Sequence, residues 1–189
     1  MAKAARQADS VISPKVTLRD VRPPIWRRLL APAGTTLGDL HHVIQAAMGW
    51  EDAHLHAFDI AGRQYGDPRE VDDAADEARL TVDGVLRSGV SRFAYTYDFG
   101  DGREHSTVIE GRRPPVDGQA YPACVAGRRN CPPGDCGGGW GYQELLAVLS
   151  GPAHPRRHER PEMLGDDFDP EAFTVEAADA RVAAGFGRR

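Results

Sequence analysis

The chain has 189 residues, 41% of them hydrophobic and 27% charged, enough apolar surface to close one ordinary core without disulfides or a structural metal. Twenty-three Lys and Arg against 28 Asp and Glu leave a net charge of −5 at pH 7, which argues against a nucleic-acid binder held by bulk charge. Lys3 and Lys15 are the only lysines, so the many arginines read as compositional bias and not as a phosphate-binding signal.

Residues 1–15 are polar and the apolar runs elsewhere are short, far below the ~20 residues that span a bilayer. Three cysteines, an odd number, point to free or metal-bound thiols in a reducing compartment. The expectation is a cytoplasmic protein without a membrane contact.

In chain order, residues 1–13 read as a flexible arm, 14–184 as a single domain and 185–189 as a flexible tail. Lys15 to Val21 alternates Val16 and Leu18 with Thr17 and Arg19, the two-residue period of a half-buried strand. Pro23-Pro24 interrupts it, and Ile25 to Ala31 predicts a second strand paired antiparallel with the first. Thr36 caps a helix with Asp39 at the third position after it. Leu37, Leu40, Ile44 and Met48 line one face, and Gly49 ends it. Ala61-Gly62 between two short apolar runs predicts a tight hairpin. Residues 66–79 are acidic and turn-rich, an exposed loop, and Leu80 to Leu86 predicts a short helix.

Phe93 to Glu110 predicts a second hairpin, with Phe93, Tyr95, Tyr97 and Phe99 on one face. A two-residue turn at Asp101-Gly102 puts Gly100 opposite Arg103 and Asp98 opposite His105 on the same face. From Arg112 to Tyr142 regular structure is expected to vanish. Helical character returns at Gln143 to Leu149, His154 to Leu164 reads as polar and partly helical, and Val175 to Ala184 predicts a last helix. Hairpins with a few helices and no alternating βαβ units give an α+β fold: a mainly antiparallel sheet built from hairpins, one central helix and C-terminal helices.

These motifs form one ordered series: Pro23-Pro24-Ile25-Trp26-Arg27-Arg28, Leu40-His41 to Gly49-Trp50, His54-Leu55-His56, Tyr97-Asp98-Phe99-Gly100-Asp101 with His105, Tyr121-Pro122, Cys131-Pro132-Pro133, Asp135-Cys136-Gly137-Gly138, Trp140-Gly141-Tyr142 and Asp169-Pro170-Glu171-Ala172-Phe173. Over residues 14 to 180 the series resembles the plasmid pRiA4b Orf-3-like family, carried by bacterial and archaeal chromosomes, plasmids and mobile elements. The resemblance implies an α+β fold, suggests an accessory role in a mobile-element setting, and names no reaction. The chain departs from the family pattern at Arg103, where a tryptophan is usual. It departs again at Gly134-Asp135, where Glu-Asp usually follows the two prolines, and this weakens an enzymatic reading.

Three groups of residues are candidates for chemistry. Cys124, Cys131 and Cys136 fall within thirteen residues with C-x₆-C-x₄-C spacing; thiolates bind Zn²⁺, and His105, His56 or His54 could complete the set. The alternative is three reduced thiols packed as small hydrophobes. His54 and His56 leave the same face of an extended segment. With Asp98, Asp101 and His105, and with His41 and His42, they form a His/Asp pocket suited to metal-dependent hydrolysis of a phosphoester, or else a set of structural pairs. Gly137-Gly138-Gly139 before a helix, with Arg128 and Arg129 near in sequence, could bind a small anion, or could be a turn that lets Trp140 pack. Trp26 and Arg28 share one strand face and Arg27 the other, so no continuous basic patch follows and tight nucleic-acid binding is not expected. The leading expectation is a binding module for a metal ion or small anion; the alternatives are a metal-dependent hydrolase acting on a phosphoester and a nucleic-acid-binding accessory protein.

Overall fold

In the computed structural model the described residues are 9–134, 136–150 and 168–186. They form one eight-stranded sheet with helices packed on it, the α+β architecture expected from the hairpin pattern. In chain order the strands are β1 (Val11–Leu18), β2 (Trp26–Pro32), β3 (His56–Ile60), β4 (Arg63–Gly66), β5 (Ala75–Asp76), β6 (Arg92–Tyr97), β7 (Arg103–Arg113) and β8 (Ala123–Arg128). The helices are α1 (Leu37–Met48), α2 (Val82–Arg87), α3 (Gly138–Ser150) and α4 (Val175–Phe186), with a 3₁₀ turn at Glu77–Arg79. Across the sheet the strands run β5-β4-β3-β6-β7-β1-β2-β8, antiparallel throughout except β4 with β5. Among the described residues no helix is long and apolar enough to cross a membrane.

The inward sheet face, carrying Val16, Leu18, Phe58, Phe93 and Tyr95, meets the apolar side of α1 in a single cluster with Leu37, Leu40 and Ile44. Thr36 caps α1 as its sequence requires, its Oγ1 accepting the Asp39 N–H at 3.1 Å. Gly49, left-handed at φ 89°, closes the other end. α4 lies against α1 and β8 with Ala178 and Val182 buried. Arg27 sits under the end of α1. Its five N–H groups reach Ala47 O, Trp26 O, Arg128 O, Arg129 O and Cys131 Sγ at 2.9 to 3.3 Å. Trp26 and Arg28 are on the opposite, half-exposed face, as the alternation predicted.

The Ala61-Gly62 hairpin forms as expected, with Ile60 opposite Arg63. The second hairpin corrects its predicted register. Tyr97 pairs with Arg103 and Tyr95 with His105, so five residues, Asp98 to Gly102, form the loop. Asp98 turns left-handed at φ 59°, and its Oδ1 accepts the Asp101 N–H at 3.2 Å. This side-chain turn ends the strand before Asp101-Gly102 can close a two-residue one. Phe93, Tyr95 and Tyr97 keep the aromatic face, whereas Phe99 stands exposed in the loop.

Other boundaries shift too. Val11 and Ile12 are fully buried in β1, so the arm is shorter than 13 residues, and α4 continues past Ala184 to Phe186. β8 pairs with β2 inside the stretch expected to be irregular. The acidic 66–79 loop contains β5 and a buried Glu77. Asp135 and the expected helical segment His154–Leu164 lie outside the described residues.

Candidate metal centre

His41 and His42 are consecutive on α1, so their side chains leave the helix about 100° apart: His41 is buried beneath it and His42 is at its rim. Past the Gly49 cap the chain doubles back, and Asp52 adopts φ 57°, a left-handed conformation that aspartate tolerates better than most residues. Its carboxylate thereby faces both rings. His41 Nε2 is 2.6 Å from Oδ1 and His42 Nδ1 is 3.1 Å from Oδ2. One ligand-type atom from each of the three lies within 4.8 Å of the others, the one such group among the described residues. The hydrogen bonds from His41 and His42 hold the Asp52 carboxyl well below the usual carboxylate range. Burial pulls His41 down to about 4, against the opposing effect of Asp52. At neutral pH the pair is therefore a neutral imidazole beside an ionised carboxylate.

The group opens on a cleft of about 520 Å³ that also reaches His54, His56, Asp67 and Glu77. The His56 ring stacks on His41 with centroids 3.4 Å apart and planes within 5°, and its Nε2 meets Glu77 Oε2 at 2.8 Å. His54 is at the mouth, its side chain 41% exposed and its Nε2 3.8 Å from Asp98 Oδ2. His54 and His56 do join one pocket with His41 and His42, but the carboxylates in contact with their rings are Asp52, Glu77 and Asp98. Asp101 is elsewhere, paired with Arg103 at 2.9 Å.

His105 is also elsewhere. It is 0% exposed beneath the sheet. Its Nδ1 lies 3.2 Å from Tyr95 O, so the ring N–H there can donate to that carbonyl, and the buried Nε2 has no hydrogen-bond partner among the described residues. The predicted Asp98 contact does not form, because Asp98 belongs to the loop and not to the strand. Burial pulls His105 down to about 4. A histidine whose folded value lies below its ordinary ~6.5 stabilises the fold above that value and ceases to do so as pH falls toward 4. Unfolding free energy is therefore expected to drop between about pH 6.5 and 4, by up to about 1.4 kcal/mol per pH unit from each such ring. Urea midpoints for His105→Leu should fall less steeply over this window than for wild type, leaving the His41 contribution. Parallel profiles would contradict the assignment.

The thiols do not converge. Cys131 Sγ contacts Met48 Sδ at 3.3 Å, Cys124 Sγ approaches Ala126 O and Cys136 Sγ approaches Gly138 O, both at 3.8 Å. All three are buried, and burial raises each thiol pKa. No cysteine, and neither His105 nor His56, is in the three-ligand group. The glycine turn before α3 faces an anion of the chain's own. Burial pushes the Asp101 carboxyl up, but Arg103 and the N–H groups of Gly138 and Gly137 outweigh it and the net direction is down. A Cβ on Gly138 would come within 2.0 Å of Asp101 O, so Gly138→Ala, already strained at φ 66°, is expected to destabilise by about 2 kcal/mol or more in urea unfolding. Arg128 is exposed at the end of β8, paired in register with Trp26, and does not join this turn.

The sequence profile of the plasmid pRiA4b ORF-3-like protein family matches residues 10–177. The chain belongs to the plasmid pRiA4b ORF-3-like family. An uncharacterized protein of Sinorhizobium fredii, y4hQ, is 42% identical over 167 residues, 86% of each chain. The crystal structure of a protein of unknown function from Methanosarcina mazei Go1, MM3350, superposes on this family member with a TM-score of 0.83 at 37% identity, covering 89% of this chain and 97% of that one.

In this pRiA4b ORF-3-like chain, sequence reasoning brought the four cleft histidines together but missed Asp52, Glu77, Gln45 and Tyr95 as their partners. The available signal was position. Gln45 lies one helical turn after His41, on the same face. Asp52 follows the Gly49 cap by three residues, where the chain must turn back toward the helix.

Proposed function

We propose that this chain is a binding module for a divalent transition metal, Zn²⁺ or an ion of similar preference, held by His41, His42 and Asp52. The observation that carries this reading is the convergence of these two imidazoles and one carboxylate within 4.8 Å at the floor of an open cleft. Imidazole with carboxylate suits zinc and its neighbours. Two of the three carry the charges that ligation needs, His41 being neutral and Asp52 ionised at neutral pH. Three protein ligands would leave a fourth position for water or substrate.

That open position supports a second reading, a metal-dependent hydrolase, for which a specific side chain is at hand. His54, half-exposed at the cleft mouth beside Asp98, would serve as the general base, and the metal would supply the acidity of a bound water. His105, buried under the sheet, could not.

Cobalt(II) replaces zinc and reports its ligands through visible absorption. Tag-free protein is expected to bind one Co²⁺ with the spectrum of nitrogen and oxygen ligands and no thiolate charge-transfer band. His42→Ala should weaken binding more than tenfold, whereas Cys131→Ser should leave the spectrum intact. A thiolate band, or no binding, would refute the assignment.

A further inference from the structure

A buried chain of hydrogen bonds runs behind the proposed metal ligands. Gln45 Nε2 donates to Tyr95 Oη at 2.9 Å, Tyr95 Oη meets His41 Nδ1 at 2.8 Å, and His41 Nε2 meets Asp52 Oδ1 at 2.6 Å. Gln45, Tyr95 and His41 are all buried. The direction of the chain follows from chemistry. Because Tyr95 Oη accepts from Gln45, its own hydrogen is free to go to His41 Nδ1. The His41 proton is then on Nε2, where the ionised Asp52 can only accept it. Nε2 is also the atom a metal would need, so in this direction the ring is closed to metal.

Gln45 can reverse the chain. Among the described residues its buried Oε1 has no hydrogen-bond partner. Turning the amide over presents Oε1 to the tyrosine and leaves Nε2 unpaired in its place, one orphan exchanged for another. Tyr95 then donates to Gln45 and accepts from His41 Nδ1–H; the ring gives its Nε2 proton through the Asp52 carboxylate to solvent and takes one back from solvent at Nδ1, so it stays neutral while its Nε2 lone pair becomes free. Support of this kind behind a metal-bound histidine fixes its tautomer and orientation.

Resting on the metal reading above, we propose that Gln45 and Tyr95 are positioning residues, a two-state relay whose reversal switches the His41 tautomer and releases Nε2 to the metal. Neither residue touches the metal, and each acts through His41.

The test joins zinc affinity with ¹⁵N NMR of the imidazoles, which distinguishes protonated from unprotonated ring nitrogens. In metal-free wild type the His41 proton should be on Nε2, and after one equivalent of Zn²⁺ on Nδ1. Tyr95→Phe keeps the ring volume and removes the relay, so its zinc Kd should rise 10- to 100-fold. Gln45→Met, chosen in case Tyr95→Phe folds poorly, should also weaken zinc binding, because the reversed chain then lacks its acceptor. Zinc binding as tight as wild type in both variants, or a His41 proton on Nδ1 before zinc is added, would overturn the relay alone. Absence of zinc binding in wild type would overturn the metal reading and the relay with it.

Discussion

Asp52→Asn is expected to remove metal binding while leaving the fold in place. Asparagine tolerates the left-handed conformation that Asp52 holds at φ 57°, and its carbonyl oxygen can still accept from His41 Nε2, now 2.6 Å away. What it loses is the negative charge and the second acceptor facing His42. Loss of supporting groups alone costs 10- to 100-fold in metal affinity, and a charged ligand should cost at least about 100-fold. Thermal unfolding of the metal-free variant should lie within a few degrees of wild type. Zinc at 100 times the wild-type Kd should raise wild-type stability by about 2.7 kcal/mol, about 5–10 °C in Tm for a chain of this size, and the variant hardly at all. Equal zinc-induced shifts in both proteins would place the ion elsewhere.

Arg27→Met should have the largest effect on stability. Arg27 is 1% exposed, and its guanidinium serves four carbonyls and the Cys131 thiol, stacked at 4.1 Å on the Phe173 ring. Methionine fills much of the volume but removes the donors from four carbonyls, and the bonds to Ala47 O and Arg129 O are fully buried, each worth about 1–3 kcal/mol where water cannot reach it. With partial relaxation, a loss of about 4 kcal/mol in urea unfolding is expected, which is the range of a broken buried network. Arg27→Lys should recover only part of it, since three donors on a point charge cannot match five in a planar fork. A loss below about 1 kcal/mol for Arg27→Met would show that these bonds contribute little. The effect should reach the cleft, because Arg27 and Arg181 both bond the last carbonyls of α1 and so hold the turn from which Asp52 projects.

Helix α1 and the Ala61-Gly62 hairpin were legible because local chemistry decides them. Thr36 and Gly49 mark the ends of α1, and positive φ at Ala61 and Gly62 closes the turn. The Asp98–Gly102 loop was not, because two local preferences competed. Asp101-Gly102 favours a two-residue turn, but the Asp98 side chain bonds the Asp101 N–H and ends the strand sooner. A register moved by three residues separated Asp98 from His105 and took that half of the expected pocket with it. The histidines at 41, 42, 54 and 56 were recognisable as a group, yet Glu77 was hidden in a segment whose acidity resembles an exposed loop. Tertiary packing buries it, against Gly38 of α1 and in its bond with His56. β8 escaped for a similar reason: flanked by prolines and glycines, Ala123–Arg128 becomes a strand through pairing with β2.

Whether His41, His42 and Asp52 seat a metal ion is decided by a zinc titration of chelator-treated, tag-free wild-type protein at pH 7.5 followed by imidazole NMR. One equivalent should saturate the protein, shifting the ring resonances of His41 and His42 and leaving those of His105 in place, with all three thiols still available to a thiol reagent after denaturation in the presence of chelator. Zinc that moves none of these rings, or no zinc bound at concentrations well above micromolar, would contradict it.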